Sequence, residues 1–395
     1  MLAVVLCIEP SVYAGYRTRK KRLGVSDQAV YDKLNGLEPA VSAALVADSA
    51  EQAAAVIDAL GARHQPWLPG YQVRILDGNH LSATEHRLQE LRTVWDAPLP
   101  GRVLDVMDPE TGLSLQVVLT PDGHASERSL LDEVLAKVAR RDLWIADRNF
   151  CTLKFLFGIA AAAAFFVIRQ HGSLKGKLRG RRRLQGVGPS GKVYEQAIEL
   201  THEGVTRVLR RVTIELLKPT RDGDHQLHIV TNLPGDVAAL VVAQLYARRW
   251  TIETLFLEVT QTLACEIDTL AYPQAALFAF CLALVAANAV AVIKAALRAV
   301  HGDTAAGELS AYYLALEIEQ AYDGMMVAVP PPCWSRFRRM TAQQFAAALK
   351  EIAAKVDRCR YRKSQRGPKK PPPQRGRYHN GGHVSTYKLL TARSP

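Results

Sequence analysis

The amino-acid sequence predicts an α/β protein: a mixed sheet flanked by helices, with a helical N-terminal domain and a β-rich insertion. Three observations point there. Apolar residues recur at helical spacing from Gly24 to about Leu60. Near residue 71 the period changes to that of strands, two of which flank a turn-rich tip. Strands and helices then alternate until a second β-rich stretch, Gly172 to Pro234, interrupts them. The chain has 395 residues, 48% hydrophobic and 22% charged, too long for one ordinary domain and too apolar for wholesale disorder.

The first helical stripe reads Val30 and Leu34, then Val41, Ala44 and Leu45, then Val56, Ile57 and Leu60, which makes three short helices. Ser26 is placed to cap the first, and Pro39 suits the first turn of the second. Behind the basic run Arg17 to Arg22 they read as a small DNA-binding bundle of helix-turn-helix type, residues 1–65. The first part of the core, 66–171, opens on a strand from Val73 to Asp77 that ends in a carboxylate and runs into Gly78-Asn79-His80. Val103 to Met107 and Leu113 to Leu119 form a hairpin around Asp108-Pro109-Glu110-Thr111-Gly112. Leu130, Leu131, Val134, Leu135 and Val138 stripe a helix, and the strand Leu143 to Ala146 delivers a second carboxylate, Asp147. The apolar run Phe155 to Ile168 divides into a helix and a buried strand beginning near Phe165.

The β-rich insertion, 172–234, opens on a basic, Gly-containing run and continues with strands at Val193 to Leu200, Val205 to Leu217 and Gln226 to Thr231. The second part of the core, 235–300, begins with Asp236 placed to cap a long helix through Tyr246, Arg249 and Glu253. Ala275 to Ile293, interrupted only by Asn288, is long enough to cross a bilayer, but its alanines and missing aromatic belt favour a buried core helix. C-terminal helices, 301–354, precede a basic Pro-rich tail, 355–395.

The formal net charge of +12 is concentrated in three places: Arg17 to Arg22 at +5, Lys175 to Arg183 at +6, and Lys355 to Arg377 at +9. The rest of the chain is net acidic, and charge gathered in patches points to a polyanionic partner, in the first place nucleic acid. Six cysteines without a C-x-x-C pair argue against both a zinc ribbon and a disulfide framework, so a cytoplasmic, nucleoid-associated protein is expected. The apolar start, Met1 to Ile8, lacks a basic n-region and is no signal peptide.

If the strands ending at Asp77 and Asp147 are neighbours, their carboxylates lie side by side, as a hard divalent cation requires. Two such ions can activate a water or sugar hydroxyl and stabilise the leaving oxyanion of a phosphodiester. Glu253 is the best placed third ligand. It closes the pattern Tyr246-x2-Arg249-x3-Glu253, whose steps of three and four share one helix face. This pattern resembles the signature of the DDE transposases of bacterial insertion sequences, in the large group named after the fourth insertion sequence described. Ile75-Leu76-Asp77-Gly78-Asn79-His80 is similar to that family's first acidic motif, and Ile145-Ala146-Asp147-Arg148-Asn149-Phe150 to its second. His383-Val384-Ser385-Thr386 matches its closing segment.

The resemblance implies a ribonuclease-H-like core. It implies Asp77, Asp147 and Glu253 as catalytic metal ligands for two Mg²⁺ or Mn²⁺ ions, and Tyr246 and Arg249 as holders of the phosphates of the transposon end. The expected partner is double-stranded DNA, both transposon ends and target, bound by a homodimer. Trp250 is a candidate for base stacking, although a large aromatic after a helical stripe is more often a core residue, and Lys175, Lys177, Arg179, Arg181, Arg182 and Arg183 are candidates for phosphate contacts. The family pattern continues with a lysine where this chain has Thr260, a shorter side chain without charge, so reduced activity on an intact fold is expected. Two other functions share these features: a non-catalytic DNA-binding repressor, and a ribonuclease-H-like nuclease without strand transfer. Asp105 and Asp108 have ordinary strand and turn roles, and His80, His86 and His124 lack metal-ligand spacing.

Overall fold

The computed structural model describes residues 1–220, 223–253, 256, 263, 266–363 and 382–392. Thr260 and most of the basic tail lie outside them. Helices α1 (Leu2–Val5), α2 (Val12–Leu23), α3 (Asp27–Asn35) and α4 (Pro39–Leu60) open the chain. Ser26 accepts from the Ala29 amide at the head of α3, and Pro39 starts α4. The second and third short helices expected here are one helix of 22 residues. Ala50, Ala53 and Ile57 face inward along it, and no glycine, nor any proline after Pro39, interrupts its Ala-rich backbone ladder.

A nine-stranded sheet forms the centre, in the order β4-β3-β1-β5-β6-β10-β9-β8-β7. The strands are β1 (Gln72–His80), β3 (Arg102–Asp108), β4 (Leu113–Thr120), β5 (Asp142–Ala146), β6 (Phe165–Arg169), β7 (Lys177–Gly188), β8 (Gly191–His202), β9 (Val205–Leu216) and β10 (Gln226–Thr231). Short β2 (Ala97–Leu99) pairs in parallel with β11 (His383–Ser385). β1 is antiparallel to β3 and parallel to β5, which is parallel to β6. From β6 outward every pair is antiparallel.

Both faces of the central strands are covered, which is why β5 reads as a continuous apolar run rather than an alternation. Leu143 and Ile145 face a core shared with α7 (Ala239–Ala247) and α8 (Pro273–His301). Trp144 and Ala146 face the opposite core, with α5 (Leu131–Leu135) and α6 (Leu153–Ala161). Over α8's most apolar window, 72% is buried inside the protein, against α4 and β4 among others.

Several expectations are corrected. The strand bearing Asp77 continues to His80 because all its outer positions pair with β3. The stripe at 130–138 is a 3₁₀ turn and a helix of only five residues, and Val138 lies in the turn that follows. From Lys177 the basic run 175–183 belongs to edge strand β7, bulged around Gly180 at φ +69°. The β-rich stretch has no sheet of its own, because β10 pairs with β6 and carries the central sheet outward. Nor do the N-terminal helices stand apart: α4 packs on α8 and β4, and Val12 and Leu34 share a core with Ala275 and Ala279.

Candidate active site

Asp77 and Asp147 are brought together by register. Leu76 pairs with Ala146 across parallel β1 and β5, so the two aspartates follow on adjoining chains. Asp77 lies two residues beyond Ile75, and Asp147 two beyond Ile145; the period of a strand therefore turns both toward the face covered by α7. There Tyr246, 6% exposed, donates its phenol hydrogen to Asp147 Oδ1 at 3.1 Å. Burial first and Asp147 second raise the phenol above its ordinary range.

The helix expected to run unbroken through Glu253 does not. α7 begins at Ala239 with an uncapped start, since Pro234 to Val237 forms a turn that leaves Asp236 exposed. It ends at Ala247, and a turn at Arg248 and Arg249 precedes a helical stretch from Trp250. Arg249, Thr251 and Ile252 donate their amides to carbonyls three residues back, a tighter winding than the α-helix.

Arg249 lies at the centre of this turn. Its guanidinium gives Nη1 to Asp77 Oδ2 at 2.7 Å and Nη2 to Glu253 Oε1 at 2.8 Å. It thus bridges two candidate metal ligands. Burial works against its charge, yet Asp77, then Tyr246, Asp147 and Glu253, outweigh burial and raise its pKa. Its Nε is buried and has no hydrogen-bond partner among the described residues. Asp77 is raised to about 6, by burial above all, against the pull of Arg249 and the Gly78 amide and with smaller upward pushes from Glu253 and Asp147.

Among the described residues no three His, Cys, Asp or Glu side chains converge as a ready-made metal cluster. The donor chemistry nevertheless fits a hard cation. Asp77, Asp147 and Glu253 offer carboxylate oxygens, and a positive group, the Arg249 guanidinium, already bridges two of them.

The remaining candidates lie elsewhere. Trp250 is 56% exposed, so it is no core residue. The basic strand β7 is separated from β5 by β6, β10, β9 and β8. On it Arg179 grips Glu199 with two nitrogens, and Arg182 meets Glu215 at 3.0 Å and lies over the Tyr194 ring. Lys175, Lys177, Arg181 and Arg183 are exposed.

Sequence reasoning gave no sign that Glu127 packs beside the strand of Asp77. A side chain at Gly78 would strike its carboxyl group, so Glu127 is pressed against the residue next to Asp77. Asn149 Nδ2 donates to it at 3.3 Å, and Arg102 stands 3.6 Å away. The glycine after Asp77 was the available signal, since glycine permits close approach. Asp105, opposite Asp77 across β1 and β3, is fully buried and bonded by the Ser114 hydroxyl. Burial pushes it up to about 7.

The family profile described as "Transposase DDE domain" matches residues 68–289. A relative from Sinorhizobium fredii (strain NBRC 101917 / NGR234), named "Putative transposase y4zB", is 29% identical over 170 residues, 38% of this chain. That match spans 45% of the relative's length. A solved piggyBac transposase synaptic complex with hairpin DNA is similar at 12% identity and a TM-score of 0.39, covering 73% of this chain and 59% of that one. Because the family profile takes in more than half of the residues, from before β1 to the interior of α8, the chain belongs to the transposase DDE domain family.

Proposed function

We propose that this chain is a DNA transposase of the group named after the fourth insertion sequence, with a ribonuclease-H-like core, acting as a dimer on nucleoid DNA in the cytoplasm. It cleaves at transposon ends and joins the freed 3′ end to target DNA. One observation supports the reading: Asp77 and Asp147 follow paired residues of parallel β1 and β5, and the Arg249 guanidinium ties Glu253 to Asp77. The antiparallel hairpin β3–β4 beside β1, with β5 and β6 parallel to it, supports the proposed core.

Asp77, Asp147 and Glu253 would hold Mg²⁺ or Mn²⁺, two ions in the proposed active form. Such ions, when bound, make a water or a 3′ hydroxyl nucleophilic at neutral pH and stabilise the departing oxygen. The chain's own contribution is placement. Parallel pairing of β1 and β5 fixes the spacing of the two aspartates, and Tyr246 fixes the rotamer of Asp147 through its hydrogen bond. The packed α7 face closes one side of the site, while Glu253, with its side chain 41% exposed, leaves the other open to DNA. The exposed lysines and arginines of β7 and its approach, together with the basic run on α2, supply positive surface for backbone phosphates.

Duplexes carrying the ends that flank the gene test the reading. The wild-type protein should cut them in the presence of Mg²⁺. Asp77→Asn, Asp147→Asn and Glu253→Gln should each lower cutting by about a thousandfold or more while binding persists. Cutting that survives Asp147→Asn, or tight binding by a wild-type protein that never cuts, would overturn it in favour of a nuclease using other residues or of a repressor.

A further inference from the structure

The geometry points to a second role for Arg249: its guanidinium is a resident cation that holds Asp77 and Glu253 in position and competes with the divalent metal for them. This rests on the reading that these acids hold the metal, and adds to it how metal loading and DNA engagement are linked.

The argument begins with charge. Asp77 and Glu253 both hand a carboxylate oxygen to the same guanidinium, through different nitrogens, at 2.7 and 2.8 Å. Asp147 is near enough to raise the pKa of both Arg249 and Asp77. Bringing acids close to one another, Asp77 largely buried among them, costs free energy unless a positive charge offsets it, and one +1 group does so only in part. A divalent cation with the same oxygens would offset more, and the +1 group beside it would then be repelled.

The guanidinium is built to be exchanged. It bonds through its two terminal nitrogens, while Nε is buried without a partner among the described residues, so its hydrogen-bonding capacity is incompletely used. It sits on a turn, not inside a regular helix, and one of its acids, Glu253, borders solvent. A DNA phosphate offers the same fork-shaped acceptor geometry as a carboxylate. Drawing Arg249 onto a phosphate therefore frees Asp77 and Glu253, and by linkage anything that favours the withdrawn arginine favours the metal. The acids stay arranged while no metal is bound, and the metal binds most tightly where DNA is present.

The test is Mn²⁺ binding to the full-length protein, read by the electron paramagnetic resonance signal of free Mn²⁺, without any measure of cleavage. Arg249→Gln should bind Mn²⁺ about tenfold more tightly than wild type. Arg249→Lys keeps the charge but lacks the planar fork that reaches Asp77 and Glu253 through separate nitrogens, so its affinity should fall between the two. A short duplex should tighten Mn²⁺ binding in wild type more than in Arg249→Gln. Circular dichroism melts show whether Arg249→Gln is folded, and if it is not, the lysine variant decides. No gain in Mn²⁺ affinity in a folded variant overturns the competition. Adding Glu253→Gln or Asp147→Asn to the lysine variant should abolish the Mn²⁺ binding; if binding persists in both, the metal-ligand reading fails instead.

Discussion

The phenol of Tyr246 and the carboxylate of Asp147 meet at 3.1 Å across 99 residues of sequence, tying the helix α7 to the end of β5. A hydrogen bond from a buried phenol to a carboxylate does two things. It satisfies a polar group that packing has removed from water, and it selects one orientation of the acid.

Tyr246→Phe separates these effects, because the ring stays and only the donor is lost. The variant should fold, with stability lowered by about 1 kcal/mol, and Mg²⁺-dependent cleavage should fall about tenfold as Asp147 loses its fixed orientation. Thermal melts and cleavage time courses check both numbers. An unchanged rate with lowered stability would confine Tyr246 to a packing role.

Much of this site was legible because strands and acids leave local marks. Asp77 and Asp147 each follow a β-branched or aliphatic run, and the period of two fixes which face they take. What was hidden depends on pairing between distant segments. The basic run of β7 gives no strand signal because both of its faces are exposed, so no apolar alternation betrays the strand. The inward turn of Arg249 is set by Asp77 on β1, 172 residues away, and no helical wheel contains it. Glu127 lies against the strand beside Asp77 only because Gly78 leaves room for it. Asn288, by contrast, stood out at once as the polar break in an apolar run, and the structure gives it a purpose.

Asn288 staples α8 to the start of β4. Its Oδ1 accepts from the Ser114 amide at 2.9 Å, and its Nδ2 donates to the Ser114 carbonyl at 3.0 Å and the Ser49 hydroxyl at 3.1 Å. Asn288→Leu would strand a buried amide and carbonyl, at a cost of about 2–4 kcal/mol. Urea denaturation should show that loss. A variant as stable as wild type would mean that solvent reaches Ser114.

The charges of β7 should not contribute equally to DNA binding. Arg179 and Arg182 are engaged with Glu199 and Glu215, whereas Arg181 and Arg183 are exposed on the same strand. Replacing Arg181 and Arg183 together by Ala should lower the slope of log affinity against log salt by about 2, one unit per lost phosphate contact. Arg179→Ala should change it far less. Fluorescence anisotropy on one duplex over a series of salt concentrations compares them, and equal effects would contradict the assignment.

Asp105 makes stability depend on pH. It is fully buried, and burial raises it from an ordinary 3.8 to about 7, despite hydrogen bonds from Ser114 and the Val106 amide. Between those two values the folded protein keeps a proton that the unfolded chain has released, so stability falls as pH rises and levels off above about 7. Asp77, raised to about 6, contributes in the same direction over a narrower window. Asp105→Asn removes the larger contribution and keeps an oxygen for the Ser114 hydroxyl. Relative to wild type, the variant should therefore gain on the order of a few kcal/mol between about pH 4.5 and about pH 8. Urea melts of both proteins at the two pH values measure this directly. A stability difference that stays constant across them would show that Asp105 is ionised throughout, and that its environment supplies more compensation than Ser114 and one amide.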